Sequence, residues 1–192
     1  MERLKKYAHE NMIPIVREKT AKKLASLCEE KNPKRILEIG TAIGYSAILM
    51  LSSCDGEIVS IEKNEERFLE AQKNIENYGF SSRATLLLGD ALEKLMELDE
   101  RGLKFDFIFL DGPKGQYKNY FPFLKNMLNG GGILFADNID LLGLLDSPEK
   151  VNHKNRAMVN HMKEFIETLS QDKDFETNFY HIDDGFSISE KK

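Results

Sequence analysis

Short apolar runs alternate with amphipathic stretches along the chain, and that alternation predicts its elements. Residues 15–31 read as a helix that ends before Pro33. "RILEI" (35–39) is a short apolar strand, residues 44–53 a helix, and "EIVSIE" (57–62) a second strand. In "NEERFLEAQKNIENYGF", Phe68, Ala71, Ile75 and Tyr78 recur at helical spacing and the pattern stops at Gly79. "ATLLLGD" (84–90) is a third strand, followed by a short helix through Leu98, and "FDFIFLD" (105–111) is a fourth. Residues 117–129 read as a helix ended by three glycines (130–132), and "ILFADN" (133–138) as the fifth strand. Apolar runs without internal alternation suit strands covered on both faces. Strands alternating with helices indicate a doubly wound α/β sheet.

The tail follows a different pattern. A long helix over about 152–171 carries Val159, Met162, Phe165, Ile166 and Leu169 on one face. It precedes "FETNFYHI" (175–182) and "GFSISE" (185–190), with only Asp183 and Asp184 between them. Strands joined so tightly form a hairpin, so one of them runs antiparallel. The expected architecture is one α/β domain over residues 1–192, a doubly wound, seven-stranded, mostly parallel sheet with an antiparallel C-terminal hairpin.

Composition narrows the function class. No segment approaches the roughly 18 consecutive apolar residues of a membrane span, and the N-terminal stretch lacks the apolar centre of a secretory signal, so the expectation is a cytoplasmic protein without a membrane partner. Cys28 and Cys54 are too few for a disulfide framework and lie in no CxxC or Cys/His cluster. Buried free thiols are expected, and zinc and thiol chemistry drop out. A net charge of −5 argues against indiscriminate nucleic-acid binding. The charge is uneven, however: residues 1–23 hold seven Lys and Arg against three Glu, a local +4 that leaves −9 for the remainder. That leaves room for a basic face on an acidic body.

In doubly wound sheets ligands bind beyond the carboxyl ends of the strands, so those ends locate the candidate chemistry. The first strand ends in "EIGTAIGYS", where Gly40 and Gly44 give GxxxG rather than the GxGxxG of dinucleotide binding. Glu62 ends the second strand, 22 residues past Gly40, where a carboxylate accepts from ribose hydroxyls. Asp90 and Ala91 end the third, near where an adenine would lie. Each feature alone has an ordinary reading as tight packing or a solvated acid; together, at successive strand ends, they point to a nucleoside. Glu38, two residues before Gly40, separates two such ligands. A pyrophosphate wants no anion nearby, whereas S-adenosylmethionine carries an ammonium and a sulfonium that tolerate one.

The fourth strand ends on Asp111 and the fifth on Asp137 and Asn138. Three oxygen donors at such ends suit a hard cation such as Mg²⁺. The ordinary alternative is that Asp137 caps the next helix with Asn138 in a turn. Lys114, three residues after Asp111, is read equally as a surface lysine or as a group that takes a proton from, or stabilises, a reacting hydroxyl.

"ILEIGTAIGYSAILM", "SIEKNEERFLEAQKNIE", "GDALEKL", "FDFIFLDGPKGQYKNYF", "GGGILFADN" and "DDGFSISEK" together resemble the metal-dependent class I O-methyltransferases of the catechol and caffeoyl-CoA type, whose fold is Rossmann-like. Within that family they resemble in particular the bacterial tRNA 5-hydroxyuridine methyltransferases, which form 5-methoxyuridine at the wobble position. The resemblance runs from about Tyr7 to Lys191 and includes "AHENMIPIV", whose family equivalent closes over the cofactor. It implies that Glu38, Gly40, Gly44, Tyr45 and Ser46 surround the methionine of S-adenosylmethionine, with Val16 as a wall. It also implies that Glu62 binds the ribose and that Asp90 and Ala91 bind the adenine. Asp111, Asp137 and Asn138 would hold Mg²⁺, Asp111 would also touch the cofactor, and Lys114 with Asp111 would be catalytic. A homodimer is implied by the resemblance alone.

Acceptor choice falls to the stretch after the fifth strand, where Lys150, His153, Lys154, Arg156, His161 and Lys163 occur without an acid among them. They read either as a solvated helix face or as an edge that contacts phosphates of a tRNA anticodon loop. Methylation of a small catechol-like molecule, and a non-catalytic cofactor- or RNA-binding module, are the alternatives.

Overall fold

The computed structural model describes residues 1–143, 145, 153 and 155–192, so Lys150 and Lys154 lie outside the described residues. The chain divides into two compact units, Met1–Lys94 and Leu95–Lys192.

In the first unit, α1 (Glu2–Glu10) and α2 (Glu18–Lys31) precede β1 (Arg35–Ile39), α3 (Tyr45–Ser53), β2 (Glu57–Glu62), α4 (Glu65–Asn77) and β3 (Ala84–Leu88). β1 pairs in parallel with β2, setting Glu38 opposite Ser60, and β2 pairs in parallel with β3. The apolar positions of β1 and α3 are explained by burial: Ile36, Leu37, Ile39, Ala47 and Ile48 are fully enclosed. α4 starts where Asn64 Oδ1 accepts from Arg67 N (2.9 Å), with Glu65 and Glu66 in its first turn; both features stabilise a helix N-terminus. The helix expected from residue 15 begins at Glu18, because Arg17 before it is extended. α1 was not among the expected elements; its buried face is narrow, Leu4 and Ala8 one turn apart. The expected thiols divide: Cys28 is buried, while Cys54 is half-buried and donates to Met50 O.

α5 (Ala91–Glu100) follows, and then the second unit continues with β4 (Phe105–Leu110), α6 (Tyr117–Met127), β5 (Leu128–Asp137), α7 (Arg156–Gln171), β6 (Phe175–Tyr180) and β7 (Phe186–Lys191). β4 and β5 are parallel; β7 runs antiparallel to both β5 and β6, so the last strand is the inner arm of the hairpin. The sheet order is β3-β2-β1-β4-β5-β7-β6, the mixed seven-stranded arrangement expected from the pattern. Aromatic rings fill the second unit. Phe135, Phe186 and Tyr180 stack at 4.9 Å intervals, and Phe165 of α7 meets Tyr117 and Phe121 edge-on. Burying each such ring contributes about 2–3 kcal/mol. No helix among the described residues is long and apolar enough to cross a membrane.

One boundary differs from expectation. The three glycines do not end α6: the helix stops at Met127, and Leu128 passes directly into β5. The register explains their presence. Phe105 pairs with Leu128, but Phe107 pairs with Ile133, so the β5 side carries extra residues in a bulge. A Cβ on Gly132 would lie 2.8 Å from Leu128 Cδ1, 2.9 Å from Asn129 O and 3.0 Å from Asp106 O. Gly131 has φ +75° but open space around it. Gly132→Ala is therefore expected to destabilise by about 2 kcal/mol through overpacking, against about 1 kcal/mol for Gly131→Ala through its left-handed backbone. Urea denaturation of the two variants checks the order.

Candidate active site

The end of β1 and the loop beyond it form the first cluster. Gly40 N and Thr41 N both donate to Ile61 O (3.0 and 3.2 Å), folding the loop over the end of β2. Gly44 caps α3 at φ +83°, where any side chain is strained, although an added Cβ would meet Ala71 at an ordinary 3.5 Å. Glu38 is fully buried. One of its oxygens accepts from Ser46 Oγ (2.5 Å) and the other from Ser60 Oγ, while the Thr41 and Ser60 hydroxyls pair at 2.5 Å. The structure thus places Glu38 beneath the loop, where it orients Ser46 at the start of α3. Ser60 and Thr41 belong to this network and were not singled out from sequence; the available signal was a lone serine inside "EIVSIE", in register with Glu38.

Glu62 ends β2 with 8% exposure. Its Oε2 accepts from Ala42 N and its Oε1 from Asn64 N, both at 2.8 Å. Each oxygen keeps one more acceptor site, so the carboxylate is held in place and can still take a pair of hydroxyls. Asp90 accepts from Leu92 N (3.0 Å) and from Lys63 Nζ (2.9 Å). The lysine bond above all, with backbone N–H donors, holds its carboxyl below the usual range against the opposing effect of burial. Ala91 is buried beside it. Val16 and Tyr45 line a cavity of about 530 Å³ together with Ile13, Lys5, His9 and Arg17. Burial raises the Tyr45 phenol pKa, with Lys5 opposing; this side chain is thereby engaged with α1.

The second cluster gathers at the ends of β4 and β5. Asp111 follows β4, and Lys114, in a 3-10 turn over Lys114–Gln116, donates to Asp111 Oδ1 at 2.6 Å. Asp137, the last residue of β5, is only 2% exposed, and its Oδ1 accepts from Asn138 N (2.8 Å). Burial pushes its carboxyl up to about 7; the negative charge of Asp111 adds to the rise and Lys114 opposes it. Asn138 adopts φ +55°, a region that asparagine tolerates better than most residues. No group of three or more His, Cys, Asp or Glu placed to hold a metal occurs among the described residues. The set here is two carboxylates and an amide, and these oxygen donors are of the kind a hard cation takes.

Two residues of this cluster went unrecognised from sequence. Tyr117 is completely buried, and its hydroxyl meets Lys114 Nζ (2.9 Å), Leu110 O (3.0 Å) and Asp137 O (3.1 Å). Burial, above all, raises its pKa well above the ordinary phenol value. His161 Nδ1 lies 2.8 Å from Gly115 O, so that nitrogen carries a proton and donates, pinning the Lys114 turn to α7. In sequence Tyr117 was one aromatic on an apolar helix face, and His161 one member of a basic run. His153, Arg156 and Lys163 are exposed.

The Asp137 shift has a direct consequence for stability. Its folded value near 7 lies above the unfolded carboxylate value near 4, so the native state binds the extra proton between them. Stability contributed by this group is present below about pH 4 and is lost as pH rises toward 7, with a slope of at most about 1.4 kcal/mol per pH unit. In EDTA-treated protein, Asp137→Asn is expected to flatten that part of the melting-temperature profile. An unchanged slope in the variant would refute the assignment.

Comparison with known proteins agrees with the fold and the motifs. The O-methyltransferase family model matches residues 1–192. A catechol O-methyltransferase of Niastella koreensis is 37% identical over 119 residues, which cover 60% of this chain and 52% of that protein, so the match spans about half the relative's length. A Staphylococcus aureus structure with the provisional name caffeoyl-CoA O-methyltransferase superposes with a TM-score of 0.91 at 34% identity, over 100% of this chain and 91% of its own. An O-methyltransferase of Streptomyces achromogenes involved in tomaymycin synthesis, solved with S-adenosylmethionine, gives 0.85 at 27% identity, over 96% of this chain and 86% of its own. The chain belongs to the O-methyltransferase family.

Proposed function

We propose that the protein transfers the methyl group of S-adenosylmethionine to a hydroxyl that has a second oxygen beside it, and that this acceptor is 5-hydroxyuridine at the wobble position of a tRNA. The observation that carries the reading is Lys114 Nζ held 2.6 Å from Asp111, with Asp137 and Asn138 ending the paired strand. A cation and three oxygen donors gathered at two strand ends match the needs of a reacting hydroxyl better than those of a binding module. The reading takes residues 1–192 as one methyltransferase domain. Glu62 accepts from the ribose, Ser46 and the Gly40–Gly44 loop hold the methionine end, and Asp90 with Ala91 borders the adenine. Lys114 meets the acceptor oxygen and takes or balances its proton. Asp111, Asp137 and Asn138 would hold a divalent cation, with magnesium favoured by the all-oxygen set; a cation there lowers the pKa of an acceptor hydroxyl. Exposed Arg156 and Lys163 on α7 support an anionic polymer as acceptor. The catechol-type name of the Niastella koreensis relative favours the second reading, a small vicinal dihydroxy aromatic.

Labelled S-adenosylmethionine and Mg²⁺ with either hypomodified tRNA or catechol, with and without EDTA, test both readings. Label at the wobble uridine, lost with EDTA, supports the first; label in catechol alone replaces it with the second; transfer to neither leaves a binding module. Asp137→Ala is expected to lower turnover by roughly a thousandfold or more, while calorimetry finds S-adenosylmethionine binding within a few-fold of wild type. For tRNA binding, affinity should fall as salt rises. The Arg156→Ala/Lys163→Ala double variant should make the log–log slope shallower by about 1–2; an unchanged slope excludes these two as phosphate contacts.

A further inference from the structure

The hydroxyl of Tyr117 sits at a junction that the proposed reaction has not yet used. A phenol has one proton and acceptor capacity on its oxygen. Leu110 O (3.0 Å) and Asp137 O (3.1 Å) are carbonyls and can only accept, so the phenol proton points at them. The acceptor side of the oxygen then faces Lys114 Nζ at 2.9 Å, and the lysine donates. Nζ is tetrahedral. One direction is its bond to Cε, a second goes to Asp111 Oδ1 (2.6 Å) and a third to Tyr117. Among the described residues only the fourth direction is uncommitted, and the other three fix where it points.

The tyrosine itself has little freedom. It opens α6, is completely buried, and lies edge-on to Phe165 of α7 at 5.4 Å and 79°. The turn carrying Lys114 is held from its other side by His161 on Gly115 O. The two carbonyls that receive the phenol proton belong to the last residues of β4 and β5, beside Asp111 and Asn138. One hydroxyl therefore references the lysine to both strand ends that carry the oxygen donors.

We propose that Tyr117 is a positioning residue for methyl transfer: its hydroxyl aims the one uncommitted direction of Lys114 Nζ at the acceptor oxygen and ties that aim to the ends of β4 and β5. The inference rests on the reading of Lys114 as the group that meets the acceptor. It differs from a purely structural role in one respect, that the effect of the hydroxyl passes through the lysine.

A double-mutant cycle separates the two. Tyr117→Phe keeps the ring and removes only the hydroxyl. It is expected to lower kcat by about 10- to 100-fold, the cost of a misaimed group, with KM for S-adenosylmethionine within about threefold. Binding of Mn²⁺ alone, followed by calorimetry, should also stay within about threefold, because no cation ligand is removed. In the Lys114→Ala background, Tyr117→Phe is expected to add less than about a threefold loss, since no lysine remains to be aimed. A further tenfold loss in that background, or a tenfold loss of Mn²⁺ affinity in Tyr117→Phe, would overturn the positioning role in favour of a structural one. A fully active Tyr117→Phe beside an impaired Lys114→Ala overturns this inference alone. A fully active Lys114→Ala, or a wild-type protein that methylates neither tRNA nor catechol, overturns the reading of Lys114 and this inference with it.

Discussion

A carboxylate almost sealed from water at the end of an apolar strand is the constraint around which the second unit is arranged. Asp137 follows Ile133, Leu134, Phe135 and Ala136, all buried, and is itself 2% exposed. An isolated charge there would cost several kcal/mol, and Asp111 on the neighbouring strand raises that cost. The surroundings answer it with donors: the Asn138 N–H on Asp137, the Lys114 ammonium on Asp111, and the Tyr117 hydroxyl on the Asp137 carbonyl. These are donors for an oxygen-rich site that still has capacity to accept. A sequence selected for stability alone would put a neutral residue at 137. On the proposed reading, a cation or an acceptor hydroxyl would use that capacity.

The first unit solves a related problem differently. Glu38 is as deeply buried, yet hydroxyls surround it, and the network ends on Ser46 at the start of α3. Glu62 is instead fixed by two backbone amides and keeps acceptor capacity on both oxygens. Two carboxylates near one loop thus divide the work. One shapes the loop and the other is available to a ligand, and the division follows from which donors reach each of them.

Much of this was legible in sequence because period and strand ends carry strong signals. The five apolar runs, the helical stripe of α4 and the two-residue hairpin joint all follow from burial on two faces, burial on one face, or a tight reversal. The donors at the ends of β1, β2, β4 and β5 stood out because polar residues are costly where apolar runs stop. What stayed hidden depends on contacts between distant positions. The glycines at 130–132 looked like a helix stop, since their use, a bulge against Asp106, appears only once β4 and β5 are paired. Tyr117 looked like core packing because its ring does pack, and the hydroxyl's three partners come from residues 110, 114 and 137. Ser60 and Thr41 needed the β1–β2 register before they could be joined to Glu38.

The hairpin that closes the chain has a task that its sequence did not announce. Asn138 is held at φ +55°, and Leu141 shortly after it at φ +49°, a left-handed conformation that is costly for leucine. Two main-chain bonds from this segment run to the hairpin's joint: Ile139 N to Gly185 O (3.1 Å) and Asp140 N to Asp184 O (3.0 Å). They tie the turn after β5 to the joint just before β7, past the last register pair, Asp137 with Phe186. Reversing the final strand therefore does more than complete the sheet. It supplies backbone partners to the segment that leaves β5 just after Asp137 and Asn138.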